Sequence, residues 1–313
     1  MATGGLNLYD ALTKKLPEVI TKRYRDLPFE NGTIVPTVTD LQPGDAELSR
    51  DLLEEVGDAE IVGDDTTNFP IVDLSAEEDR YKILMVANGF SFTYNQIAAY
   101  ERAGNFQQVN NRKMMVARRG IAERMNKLAA FGNAGQGITG FLNNPNVPLD
   151  NSSFDPWDAN TTGDDLSDWV QEQVEVAYTA NNNSYMPSEL LCSTEFWFLL
   201  NRKRMSDSGE KVINHLTQGE NPPLRRIVWS SETRSSALEA NGVQAANTDL
   251  DRLVLYPLDE MVVDRHNSTV GLLPPDYIQT KGTRKIYPMF GLTSPTMINI
   301  PYAMRYITVA KKP

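Results

Sequence analysis

The opening fifty residues cannot build a core of their own, and that limits what the rest of the chain can be. Pro17, Pro28, Pro36 and Pro43 interrupt any long periodic pattern there, because proline lacks an amide hydrogen and clashes with the preceding helical turn. Room is left for one short helix near residues 8–16. A segment with so little apolar content must lie on another surface to be ordered. It is also acidic. Residues 1–80 hold 18 acids and 7 bases, whereas residues 81–313 hold 23 of each, so the first quarter carries the whole net charge of −11. Such a segment is repelled by nucleic acid and attracted to basic protein surfaces.

Residues 59–93 read as a long β-hairpin. One leg is expected at residues 59–62 and the return leg at 81–93, where Ile83, Met85 and Phe90 are strand formers. Between them residues 63–80 are acidic and irregular. Asp64, Asp65, Phe69, Glu77, Glu78 and Asp79 lie in this loop, which is expected to project from the body.

The clearest helix runs from about 106 to 130. Met114, Ala117, Ile121, Met125 and Leu128 recur at steps of three and four, giving one apolar stripe. Gly132 stops it. Its outer face is basic, with Arg112, Lys113, Arg118, Arg119, Arg124 and Lys127 against the single acid Glu123. These six cations, Arg112 to Lys127, are the candidate residues of a charged surface.

Residues 132–162 are rich in Gly, Asn and Pro and read as loop. A second region then mixes helices and strands. Asp164 or Asp165 can cap a helix running to about 180, with Trp169, Val170, Val174 and Ala177 on its apolar face. Strands are expected at 189–193, 226–230, 252–256 and 261–264, helices at 194–204 and 211–217, and several short strands over 285–309. The whole reads as an α+β protein with two intertwined regions. At 313 residues it can bury one large core or two modest ones.

Several chemistries lack their parts. His215, His266 and Cys192 are the only histidines and cysteine, so the common zinc arrangements are unavailable and no disulfide can form within the chain. That fits synthesis in a reducing cytoplasm. Asp264 and His266 are spaced to share one face of a strand, but no nucleophile elbow accompanies them, and both histidines are expected to be packing or surface residues. No run of eighteen apolar residues predicts a membrane span, and no secretory signal is visible at the start. Gly135-Gln136-Gly137-Ile138-Thr139-Gly140 fits GxGxxG, yet a dinucleotide site needs a strand before it and a helix after it. Here a helix precedes and Asn143-Asn144-Pro145 follows, so the glycines are expected to make a sharp reversal. No cofactor and no catalytic role are expected.

An acidic arm, a hairpin, a long basic helix and then Gly140-Phe141-Leu142-Asn143-Asn144-Pro145-Asn146-Val147 form an order that resembles the major capsid proteins of tailed bacteriophages with the Hong Kong 97-type fold. Those proteins carry a "GLxNNPxV"-like segment after a glycine-rich turn. The resemblance covers most of the chain in layout, and its sequence-specific part is residues 94–148. It implies an N-terminal arm over 1–55, an extended loop over 56–93, a peripheral domain over 94–162 and 271–313, and an axial domain over 163–270. It implies partners too: copies of the chain in hexamers and pentamers of an icosahedral shell, packaged DNA touched non-specifically, a portal and a decoration protein. On the same footing the six helix cations become candidate subunit-interface or DNA-facing residues, and the six loop residues candidate contacts with a neighbouring copy. Many relatives carry a helical scaffolding segment before the arm. The initial methionine leads us to expect a separate scaffolding protein instead. An encapsulin-like compartment shell enclosing a cargo enzyme is the alternative reading of the same layout, and a compact enzyme with a carboxylate site is a third.

Overall fold

The computed structural model describes residues 25–56, 73–219, 222–245 and 248–312. In chain order the first half holds β1 (Thr37–Thr39), β2 (Glu47–Val56), β3 (Asp73–Lys82), β4 (Leu84–Thr93), α1 (Tyr94–Arg102), α2 (Phe106–Phe131) and β5 (Leu149–Asn151). The second half holds α3 (Gly163–Ala180), β6 (Glu189–Ser193), α4 (Thr194–Arg202), α5 (Val212–Gln218), β7 (Arg226–Ser230), α6 (Ser235–Ala240), β8 (Leu250–Tyr256), β9 (Val263–Asn267), β10 (Gly271–Leu272), β11 (Gln279–Lys281), β12 (Arg284–Thr293), β13 (Met297–Ile298) and β14 (Arg305–Ala310).

Two sheets organise the subunit. A seven-stranded sheet runs β1-β9-β12-β10, with β4 and β11 also on β12 and β13 on β9. A five-stranded sheet runs β5-β14-β8-β6-β7. Each has its own core. Ala117, Ile121 and Met125 of α2 pack with Phe90, Phe92 and Met289 against the larger sheet. Leu166, Trp169, Val170 and Val174 of α3 pack with Phe196, Leu199 and Leu253 against the smaller one. A third core joins the two: the end of α2 (Ala129, Ala130, Phe131) meets Phe141, Leu142, Val254, Tyr256 and Val263, together with Phe29, Ile34 and Val35 from the chain's beginning.

The predicted hairpin is present but its legs differ. The expected first leg at 59–62, with Asp64, Asp65 and Phe69, lies outside the described residues. The observed two-stranded ribbon pairs β2 with β3, Glu47 opposite Lys82 through Val56 opposite Asp73. Most of the expected return leg is instead β4, which pairs along its full length with β12. The reason is burial. Phe90 and Phe92 are drawn into the core under α2, whereas β2 and β3 carry eight acids and three bases. Only short strands were expected over 285–309, whereas β12 runs unbroken through Pro288. Gly89 faces Pro288 across the ladder, and a Cβ on Gly89 would meet the Tyr287 carbonyl oxygen at 3.0 Å, so a residue without a side chain lets β4 lie close to that main chain.

Smaller corrections concern caps and ends. Helix α3 is capped by Thr162, whose hydroxyl accepts from the Asp165 amide, while the Asp165 side chain accepts from the Thr162 amide in a reciprocal box. The strand expected at 261–264 is β9, shifted to Val263–Asn267, because Met261 and Val262 belong to the preceding turn.

Candidate assembly surfaces

The long helix presents its apolar stripe inward, as the periodicity predicted, and its cations outward. They are not equivalent. Lys113 is spent locally: its Nζ donates to the Ser91 carbonyl at 2.7 Å and sits 3.9 Å from the centre of the Phe92 ring. Arg119 pairs with Glu123 one turn on at 3.0 Å and donates to the Arg25 carbonyl. Arg112, Arg118, Arg124 and Lys127 are exposed and form no ion pair with another described residue. Between them lie Met115 and Val116, 69% and 63% exposed. The outer face is therefore cationic with an apolar spot, which the count of charges alone did not reveal.

The ribbon leans on the body by one face. Glu47, Ser49, Asp51, Glu78, Arg80 and Lys82 are exposed, while Leu48, Arg50, Asp79 and Tyr81 are half-buried. Arg50 grips the buried Asp264 of β9 through both carboxylate oxygens, at 3.2 and 2.5 Å. Tyr81 donates to Asp79 at 3.4 Å; burial, then the neighbouring Asp79 charge, pushes its phenol up to about 12. Arg80 pairs with Glu78 at 2.9 Å and holds that carboxyl below its usual value. Of the six predicted loop residues, Glu77 lies in β3 opposite Leu52, and Glu78 and Asp79 follow it.

Asp264 and His266 do share a face, at 3.4 Å. His266 Nδ1 also lies 2.8 Å from both oxygens of Asp40. The pair thus ties the chain on either side of residues 42–46 to β9: Asp40 through His266, and Arg50 through Asp264. His215 is half-buried in α5. Cys192 is fully buried, donates to the Val228 carbonyl at 3.4 Å, and has its thiol pKa pushed up by burial. Among the described residues no three His, Cys, Asp or Glu side chains are grouped to hold a metal ion, and no helix is long and apolar enough to cross a membrane.

The glycine segment is a reversal whose tip, Ala134–Gly137, is exposed and whose return, from Gly140, is buried. After α2, Gly132 (φ 67°) and Gly137 (φ 69°) take the left-handed region, and Asn133 and Ile138 exchange main-chain bonds at 2.8 and 3.1 Å. Phe141 and Leu142 then donate back to Ala129 and Ala130 at 2.8 and 2.9 Å. The Asn143 carboxamide accepts from Gly140 at 2.6 Å and donates to Phe131 at 2.9 Å. Tyr306 donates to the Phe141 carbonyl at 2.5 Å, and Arg252 donates to that of Leu142. The Gly140–Val147 motif closes the helix end against the five-stranded sheet.

Sequence reasoning missed one group entirely. Arg265 has no exposed surface, yet it donates to Phe29 and Met125 carbonyls at 3.2 Å each, to Thr293 at 2.8 Å, and to Glu30 at 3.2 Å. Burial raises the Glu30 pKa more than the Arg265 charge lowers it. Nothing in Asp264-Arg265-His266 distinguishes a buried arginine from a wet one.

Comparison with known proteins adds the following. A family model described as major capsid protein matches residues 57–308. Comparison with curated protein sequences finds no match. Among solved structures, the fold is similar to the capsid of Myoviridae phage XM1, at a TM-score of 0.75 and 15% identity, covering 98% of this chain and 99% of that one. It is also similar to a chain of Mycobacterium phage Ogopogo (TM-score 0.59, 16% identity, 99% and 100% covered). A third is the capsid of an empty GTA particle (TM-score 0.56, 10% identity, 96% of each chain).

Proposed function

This chain belongs to the major capsid protein family, and on that footing we propose that its copies close into the icosahedral head of a tailed bacteriophage as hexamers and pentamers around DNA. It is a phage shell subunit with the Hong Kong 97-type fold. The observation that carries this is the family match over residues 57–308, joined to a likeness in fold that runs nearly end to end. The encapsulin alternative is not favoured, since the matching family is one of capsid proteins.

Its role in this reading is geometric, not catalytic. Many interfaces of moderate strength suffice, because closure of a shell makes each later contact intramolecular. Residues 1–55 act as the arm, 56–93 as the extended loop, 94–162 with 271–313 as the peripheral domain and 163–270 as the axial domain. The ribbon β2–β3 suggests that the loop begins nearer residue 47. A separate scaffolding protein, a portal and a decoration protein complete the partners, with assembly in the bacterial cytoplasm.

The outer face of α2 has two competing uses in the shell: contact with a neighbour's acidic ribbon, or contact with packaged DNA. Exposed Met115 and Val116 favour the protein neighbour, because phosphates offer apolar side chains nothing to bury against. Size-exclusion and electron microscopy of the expressed chain test the whole reading. Megadalton particles or capsomers are expected, and particles purified from infected cells should hold nucleic acid. A stable species of tens of kilodaltons under all conditions would overturn it.

A further inference from the structure

Residues 25–36 are held to the subunit much as a peptide is held in a groove. Five side chains from four elements reach its main chain. From α2, Arg119 donates to the Arg25 carbonyl, and the Asn126 carboxamide oxygen accepts from the Phe29 and Glu30 amides at 3.1 and 3.3 Å. Arg265 of β9 donates to the Phe29 carbonyl at 3.2 Å, Arg226 of β7 to that of Thr33 at 2.7 Å, and Tyr256 of β8 to that of Ile34 at 3.0 Å. Phe29, Ile34 and Val35 are buried in the core between the two sheets, with Phe29 edge-on to Phe141 at 5.8 Å.

The grip spans both halves of the subunit. Asn126 lies where α2 passes from the core of the larger sheet to the junction core. Its Nδ2 donates to Glu232, just beyond β7, at 3.2 Å. Glu232 is itself buried and bonded to Ser230 and Ser231 at 2.7 and 2.8 Å, and it pairs with Arg25 at 3.1 Å. The strap, the long helix and the smaller sheet therefore meet in one network.

We propose that residues 25–36 are a conformational lock: in place they fix α2 and the seven-stranded sheet against the five-stranded sheet, and drawn out they free the two to pivot. The coupling is physical. Withdrawal strips Asn126, Arg226, Tyr256 and Arg265 of their partners on the strap's main chain and leaves a void where Phe29 and Ile34 sat. Unpaired buried groups and empty volume are both costly, and a relative movement of the two sheets is what would close the void. The lock rests on contacts within one subunit and stands apart from how the shell is built.

Hydrogen exchange read by mass spectrometry on the full chain tests it, using Asn126→Ala and, separately, Phe29→Leu, which alters the strap and leaves the groove intact. In both variants the amides of Phe29 and Glu30, of residues 125–131 and of β7 should lose protection together, by roughly tenfold in Asn126→Ala, where a few hydrogen bonds of ordinary strength go. The amides of α4 and the middle of β8 should keep theirs. Loss confined to the strap in either variant would overturn the lock. So would an equal loss across the whole chain, because the strap would then be ordinary core.

Discussion

Gly132 and Gly140 cross with their backbones in contact: a Cβ on Gly140 would stand 2.4 Å from the Gly132 nitrogen, and one on Gly132 would stand 2.2 Å from the Ile138 carbonyl oxygen. Both neighbours are main chain and cannot swing aside. Gly137, five residues on from Gly132, also has positive φ but open space around it. Gly140→Ala should therefore cost more than Gly137→Ala. We expect about 2–4 kcal/mol for the first, from overpacking and backbone shift, and about 1–2 kcal/mol for the second, from the left-handed conformation alone. Denaturant midpoints of the two variants check the order.

Glu30 gives a pH dependence with a definite sign. Its pKa is raised in the folded chain because burial outweighs the attraction of Arg265. Such a group takes up its proton more readily folded than unfolded. Its contribution is fully present below the unfolded value, about 4.3, and is lost as pH rises through the raised folded value. The stability difference between wild type and Glu30→Gln should thus favour the wild type more in mild acid than at neutrality. Urea titrations of both proteins across that window measure it, and a difference constant with pH would contradict it.

The ribbon's attachment can be cut at one bond pair. Arg50→Ala leaves the Asp264 carboxylate, 4% exposed on its side chain, without its bidentate partner. A buried charge deprived of its partner costs about 3–5 kcal/mol in general. Arg50 is one-third exposed and Asp264 retains His266 and Asn299, so we expect about 1–3 kcal/mol here. Amides of β2 and β3 near residues 47–51 and 78–82 should exchange faster, while β4, secured on β12, should not change.

Reversing the helix charges separates two kinds of arginine. Arg118→Glu with Arg124→Glu touches only exposed groups and should alter subunit stability by about 0.5 kcal/mol or less. The same pair should reduce particle yield or genome retention if the outer face of α2 is an assembly surface. Arg119→Glu breaks a local pair and its bond to the Arg25 carbonyl, so it should loosen residues 25–30 even in unassembled subunits. Sedimentation of assembly reactions at two salt concentrations, beside thermal melts of the subunit, reads both effects.

What could be read in advance follows from what is periodic or local. The stripe from Ala117 to Leu128 is visible because helix geometry repeats it, and β6 because five buried residues stand between clear turn signals. The Thr162 cap is legible too, since Thr162-Gly163-Asp164-Asp165 places a partner three residues on, although Asp164 and Asp165 are themselves common cap residues. The legs of the ribbon were not readable. Their pairing is charged, and the pattern that marks a strand is alternation against a core. The full length of β12 was not readable either, because it rests on pairing with β4, far away along the chain and directly opposite in the sheet. Asn126 and Arg265 owe their roles to main-chain groups of residues 25–30, which no spacing rule connects to them.

The ribbon β2–β3 pairs with no third strand among the described residues. An isolated pair of strands is barely self-supporting in water. On the proposed role in a shell, contact with neighbouring copies would supply the support that a third strand gives elsewhere. Melting temperatures taken on lone subunits will then fall short of those for the completed head, and the shortfall will vary with protein concentration in the manner of a ligand-stabilised fold.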